Sequence, residues 1–193
     1  MEGVYSVLDL RLVVIALTPA IAIGLAAYFT DRFDKEPAIL LLKVFVLGAI
    51  SVIPVIIVER TLMMLNFFTG LMASAFTAFI VAGLTEEFFK RAVVLKSVYK
   101  NKHFDEKLDG IIYAVFAALG FAAVENLMYV VGSYTVNAYV GIYRGIFSVP
   151  THALLAVTMG YYLSLAKFSY NENFERMYLR KALVIPALLH GVF

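Results

Sequence analysis

Six apolar stretches, each near or above the length needed to cross a bilayer, constrain this chain more than any other feature. They run over roughly 10–30, 38–58, 67–99, 109–131, 139–167 and 179–193. A helix needs about 20 apolar residues to cross the hydrocarbon core. No water is available there for unpaired backbone groups, so spanning segments fold as helices that satisfy their own N–H and C=O groups. Composition agrees: 62% of the 193 residues are hydrophobic and 16% are charged, against about 25% charged in a soluble domain. The mean hydropathy is +0.86. The expected fold is all-α: a polytopic integral membrane helical bundle of about six transmembrane helices, with 1–193 forming one membrane-embedded domain.

The ends carry their own expectations. Glu2 and Asp9 are acidic where a secretory signal is positively charged, so the first stretch is read as a span and not as a cleaved leader. The last stretch offers about 15 residues from Leu179, short for a crossing. It is read either as a helix that ends within the membrane or as a chain truncated at its C-terminus. Pro19, Pro54, Pro150 and Pro186 fall inside apolar stretches and mark expected kinks.

Charge sets an expected orientation. Arg32, Lys35 and Lys43 flank the first connector. Lys90, Arg91, Lys96, Lys100, Lys102 and Lys107 crowd 90–107, and Lys167, Arg176, Arg180 and Lys181 crowd 167–181. The alternate connectors hold only Arg60 and Arg144. The positive-inside rule places the three basic connectors in the cytoplasm and the N-terminus outside. A net charge of +2 gives no basis for nucleic-acid binding; the expected surroundings are a lipid bilayer. With no cysteine in the chain, thiol catalysis, disulfides and thiolate metal sites are excluded.

Against this background the polar residues inside the apolar stretches stand out. Glu86 and Glu87 are adjacent, Glu125 lies among small residues with Asn126 beside it, and His152 and His190 occupy two further stretches. A charged group at membrane depth costs at least a few kcal/mol, so such residues have partners and usually a function. Glu86 lies four residues before Lys90 and Glu87 four before Arg91, spacings that pair charges on a helix. The bland alternative is an ion-paired helix end whose cations snorkel to the surface. Neighbouring residues diverge by about 100° on a helix, so both glutamates reach one point only if the helix is distorted, and Gly83 is the expected place. A straight helix also leaves Glu86 about 10–15 Å from the depth of Glu125. No cation lies within a turn of Glu125, which is read as a carboxyl held between helices. His103, in a polar loop, is read as solvated and uninvolved.

The inventory suits hydrolysis of a peptide bond. A carboxylate polarises water, a second acid or an imidazole returns the proton to the leaving amine, and an imidazolium or amide stabilises the oxyanion. Zn²⁺ would accept the same donors, with Glu86, Glu125, His152 and His190 as the ligand set, but no His-Glu-x-x-His spacing supports it. The expectation is no cofactor. A proton-coupled transporter or a non-catalytic membrane binding protein would use intramembrane carboxylates too.

Glu86-Glu87-x-x-Lys90, Phe121-x-x-x-Glu125-Asn126, His152 after a proline and His190-Gly191 occur together and in this order. So do Asp31-Arg32-Phe33-Asp34-Lys35-Glu36-Pro37 and His103-Phe104-Asp105-Glu106 leading to Asp109-Gly110. In these respects nearly the whole chain resembles the PrsW family, bacterial membrane-embedded proteases related to the CAAX-processing and bacteriocin-immunity group. The resemblance implies cleavage of a membrane-anchored anti-sigma factor, the first (site-1) cut of regulated intramembrane proteolysis, in a bacterial cell membrane. It implies catalytic roles for Glu86, Glu87, Glu125, His152 and His190, with Lys90 and Asn126 in support. The family's last histidine motif continues with an aromatic-Asp pair; Phe193 is the final residue of this sequence.

Overall fold

The computed structural model describes residues 10–30, 35–132 and 138–193. Glu2, Asp9, Arg32 and the 31–34 part of the first connector lie outside them. Helix α1 covers Leu10–Thr30; α2 (Ala38–Ile50) and α3 (Val52–Met64) follow with only Ser51 between them. α4 (Gly70–Ala75) runs through a π-helical segment, Phe76–Leu84, into α5 (Thr85–Ser97). Then come α6 (Asp109–Gly132), α7 (Ala138–Ile146), α8 (Ser148–Lys167) and α9 (Glu172–Val192). Among the described residues, five helical runs are long and apolar enough to cross a membrane: 12–30, 38–64, 70–97, 109–130 and 141–167. The protein is thus an all-α polytopic membrane bundle. The sixth stretch begins at Glu172, seven residues earlier than its apolar part suggests, because the first turns of α9 are charged.

Two of the prolines coincide with interruptions and two do not. Pro54 and Pro150 each occupy the third residue of a helix, just after the junctions at Ser51 and Phe147. A first-turn proline costs no hydrogen bond, since its missing N–H has no intrahelical acceptor there. Pro19 and Pro186 lie inside α1 and α9.

α6 is the central post, with 67% of its apolar window buried against 17% for α1. It packs on α1, α2 and α8. Glycines set how closely. A Cβ on Gly120 would strike the Phe45 carbonyl of α2, one on Gly48 the Ala117 carbonyl of α6, and one on Gly160 of α8 the Gly110 carbonyl. Between membrane helices, where lipid removes the hydrophobic drive to associate, such small-residue crossings supply the contact.

One end of the bundle is closed by polar contacts. The Asp109 carboxylate accepts the backbone N–H groups of Asp105 and Glu106 at 2.9 and 2.6 Å. The Tyr113 hydroxyl donates to the buried Glu36. Lys167 donates to the Tyr99 carbonyl at 2.7 Å, and the Phe104 ring packs among Tyr99, Tyr113 and Phe168. Burial, with the Glu175 carboxylate beside it, pushes the Tyr99 phenol up to about 12, so it remains a donor at neutral pH. The 103–110 motif is therefore structural: it folds the connector onto the start of α6. His103 lies in it, partly buried.

Gly120→Ala is expected to lower stability by about 1–3 kcal/mol, the usual cost of overpacking. Gly24→Ala, whose Cβ would meet nothing closer than 3.6 Å, is expected to leave it unchanged. The fraction surviving as a monodisperse peak after heating in detergent checks both.

Candidate functional site

Glu86, Glu87, Lys90, His152, His190 and Glu125, from α5, α6, α8 and α9, meet in one cluster. At its centre is Lys90, 1% exposed in its side chain. Its Nζ donates to Glu86 Oε2 at 3.0 Å, to Glu87 Oε1 at 2.8 Å and to His152 Nδ1 at 2.8 Å. These are all the donors an ammonium has. The Phe121 ring covers it, with Nζ 4.4 Å from the ring centroid. A surface pair with a snorkelling cation is therefore excluded.

The two adjacent glutamates converge without a break. α5 is regular from Thr85. Lys90, four residues after Glu86 and three after Glu87, lies about 40° from one and 60° from the other around the helix, so both long side chains lean to it from either side. The pairing of Glu87 with Arg91 does not form among the described residues; Arg91 Nε is left without a partner. Lys90 thus belongs to the site and not to the basic connector in which its number placed it.

The distortion expected at Gly83 takes the form of the π-helical segment Phe76–Leu84, and the helix runs on through it without a break. Gly83 ends the buried part of that segment, where Thr85 Oγ1 donates to the Ile80 carbonyl five residues back at 3.2 Å. Such wide turns recur at functional sites. The missing side chain lets α9 close in: a Cβ on Gly83 would lie 2.7 Å from the Ala187 carbonyl. On the facing side Gly191 accommodates the Phe79 ring. This contact delivers His190, whose Nδ1 lies 3.1 Å from Glu87 Oε1 and whose Nε2 lies 3.9 Å from Glu86 Oε1.

The depth gap between Glu86 and Glu125 is bridged by an imidazole. His152 Nε2 lies 3.0 Å from Glu125 Oε2. Because an ammonium only donates, Nδ1 accepts from Lys90, and Nε2–H donates to Glu125. That fixes the His152 tautomer. Glu125 also has a cation that local spacing concealed: Arg144 Nη2 of α7 is 3.0 Å from Glu125 Oε2, and its guanidinium lies over the Tyr129 ring at 3.7 Å. Asn126, by contrast, points elsewhere. It is fully buried and donates to the Ala16 carbonyl of α1 at 2.8 Å, tying two helices together.

A groove of about 390 Å³ opens onto the cluster. Val52, Val55, Ile56 and Glu59 of α3 form one side, Phe121, Glu125, Met128 and Tyr129 of α6 the other, and Glu86 lies in its wall. Sequence reasoning missed Glu59 and Arg144. Arg144 is a single charge at the edge of an apolar stretch, and Glu59 is followed at once by Arg60, so it reads as one half of a local charge pair.

The description "PrsW family intramembrane metalloprotease" belongs to the family whose model matches residues 36–193. The chain is 48% identical to Protease PrsW of Clostridioides difficile, covering 84% of this chain and 69% of the relative. It is 37% identical to Protease PrsW of Bacillus subtilis over 92% and 78% of the two chains. With Protease PrsW of Geobacillus kaustophilus it shares 36% identity over 92% and 75%. No solved structure matches significantly.

The family description raises the question of a metal. Donor atoms of Glu86, Glu87, His152 and His190 all lie within 4.8 Å of one another, so Glu87 and not Glu125 completes the four. The residue types suit Zn²⁺, and Glu87 Oε2 is buried without a hydrogen-bond partner, but the ammonium of Lys90 already takes the other oxygen of Glu87, one oxygen of Glu86 and the facing nitrogen of His152. A cation of double charge would have to displace it. Peptide cleavage is accordingly expected to persist after exhaustive chelation, with elemental analysis finding no stoichiometric metal in the purified protein. Loss of activity restored by added Zn²⁺ would contradict this fit.

Proposed function

The chain belongs to the PrsW family of membrane-embedded proteases, and from that premise we propose that it makes the site-1 cut in a membrane-anchored anti-sigma factor, using water activated by glutamate. The observation that carries the mechanism is the convergence of Glu86, Glu87 and His190 around Lys90 beside an open groove. The substrate class rests on the family resemblance of the joined motifs. Residues 1–193 act in this reading as one protease domain of a multi-pass bacterial membrane protein. The basic connectors support an orientation with the N-terminus outside and those connectors cytoplasmic; Lys96, Lys100, Lys102 and Lys107 are exposed.

The roles follow from which atoms are still free. Both Lys90 and His190 contact Glu87 Oε1, and Glu87 is 1% exposed, so this carboxylate positions its two partners. Glu86 bonds Lys90 through Oε2, while Oε1 faces His190 Nε2 and the side chain borders the groove. Glu86 takes a proton from water as the oxygen adds to the scissile carbonyl carbon. His190 Nε2, held by Glu87 through Nδ1, donates toward the oxyanion when the ring is protonated. As the C–N bond breaks, Glu86 returns its proton to the leaving nitrogen, giving a free amine and a carboxylic acid. Lys90 holds charge at the site without moving a proton. His152 links Lys90 to Glu125, and Arg144 balances Glu125, so these three position the reacting pair.

Glu86→Gln is expected to lower cleavage of a membrane-anchored anti-sigma substrate by a factor of about 100 or more through loss of the general base, and Glu87→Gln to abolish it by releasing His190 and Lys90, while each protein remains folded in the membrane. Immunoblotting of substrate fragments beside a detergent-solubilised size profile checks both. Normal cleavage by both variants would remove the proposed roles.

A further inference from the structure

We infer that Glu59 is a specificity residue that reads a Lys or Arg side chain close to the scissile bond of the substrate. The inference deepens the protease reading above and rests on it. Glu59 belongs to α3, a helix that gives no other side chain to the Glu/Lys/His cluster, yet it lines the same groove as Glu86 and Glu125. It is only partly exposed. Among the described residues it makes no hydrogen bond and no ion pair, although Arg60 is its neighbour in sequence.

Acids outnumber cations around the groove, and Glu59 is the one carboxylate there with no ion-pair partner among the described residues. Glu86 and Glu87 share Lys90, and Glu125 has Arg144. Glu59 is the fourth carboxylate, and it lines one groove with Glu86 and Glu125. Every charged residue lining the groove is an acid; the remaining walls are Val52, Val55, Ile56, Phe121, Met128 and Tyr129. An extended peptide lying there meets apolar surface along its length and one uncompensated carboxylate. A cationic side chain supplies the partner that Glu59 lacks, and its aliphatic stem suits the apolar walls. An acidic side chain at the same place would add a fifth negative charge in a poorly solvated groove, which is strongly disfavoured. The substrate class is therefore a membrane-anchored segment with a basic residue beside the cut, and acidic segments are rejected.

The test uses the full chain in proteoliposomes and membrane-anchored peptides that are identical except for Lys, Gln or Glu placed in turn at positions flanking the cut. At one position the Lys peptide is expected to exceed the Gln peptide in kcat/KM by about tenfold, chiefly through KM, the size of a partly desolvated ion pair. Glu59→Gln collapses that ratio to about one, and Glu59→Lys inverts it in favour of the Glu peptide. A ratio unchanged by Glu59→Gln, or no charge preference in the unaltered protein, overturns the inference. Binding of the same peptides to Glu86→Gln protein gives a second readout that needs no cleavage. Tighter binding of the Lys peptide, lost on adding Glu59→Gln, supports the role of Glu59 even if the cleavage chemistry is other than proposed; equal binding of all three peptides overturns it.

Discussion

A lysine ammonium removed from water has three donors to satisfy and a charge to balance, and Lys90 meets both demands with Glu86, Glu87 and His152. Taking ions out of water costs several kcal/mol each even after relaxation, and only close pairing with complete hydrogen bonding offsets it. The arrangement is therefore strict. Lys90 fixes the two glutamates of α5, orients His152 of α8 and, through that ring, reaches Glu125 of α6. Glu87 in turn holds His190 of α9. Four helices are joined through one buried cation.

The packing of the bundle allows this meeting. Gly48 and Gly120 seat α2 against α6, and Gly110 and Gly160 seat α6 against α8. Gly83 and Gly191 bring the π-helical segment and α9 into contact at the level of the cluster. Each crossing is closer than any side chain would permit. The wide turns before Thr85 adjust the register at which α5 presents its glutamates. Structural and chemical motifs are thus interleaved along the chain: Phe121 shields Lys90 while Glu125, one turn later, takes His152.

Much of this was legible in the sequence, and what was not has definite causes. Apolar length gave the helical bundle because the bilayer permits little else. The cost of carboxylates in lipid singled out Glu86, Glu87 and Glu125. Local spacing misled in three places. It paired Glu87 with Arg91, though Lys90 lies between both glutamates on the helix face. It left Glu125 without a cation, because Arg144 arrives from another helix. It put Asn126 beside Glu125 in function, though one step along a helix turns a side chain by about 100°, here toward α1. Depth arithmetic separated Glu86 from Glu125 because it could not include the imidazole that joins them. Glu59 escaped notice because its significance lies in a groove between helices, and no single segment contains that groove.

The account makes the pairing of Lys90 with its carboxylates the condition for a stable site, and a stability cycle tests that directly. Lys90→Met alone leaves buried carboxylates uncompensated and is predicted to cost about 3–5 kcal/mol. Adding Glu86→Gln and Glu87→Gln to the same chain removes the stranded charge, and most of that loss is predicted to return, a strongly non-additive result. A Lys90→Met protein as heat-resistant as the unaltered one, or a triple variant weaker still by the sum of its parts, would contradict the claim that one buried ammonium holds this site together.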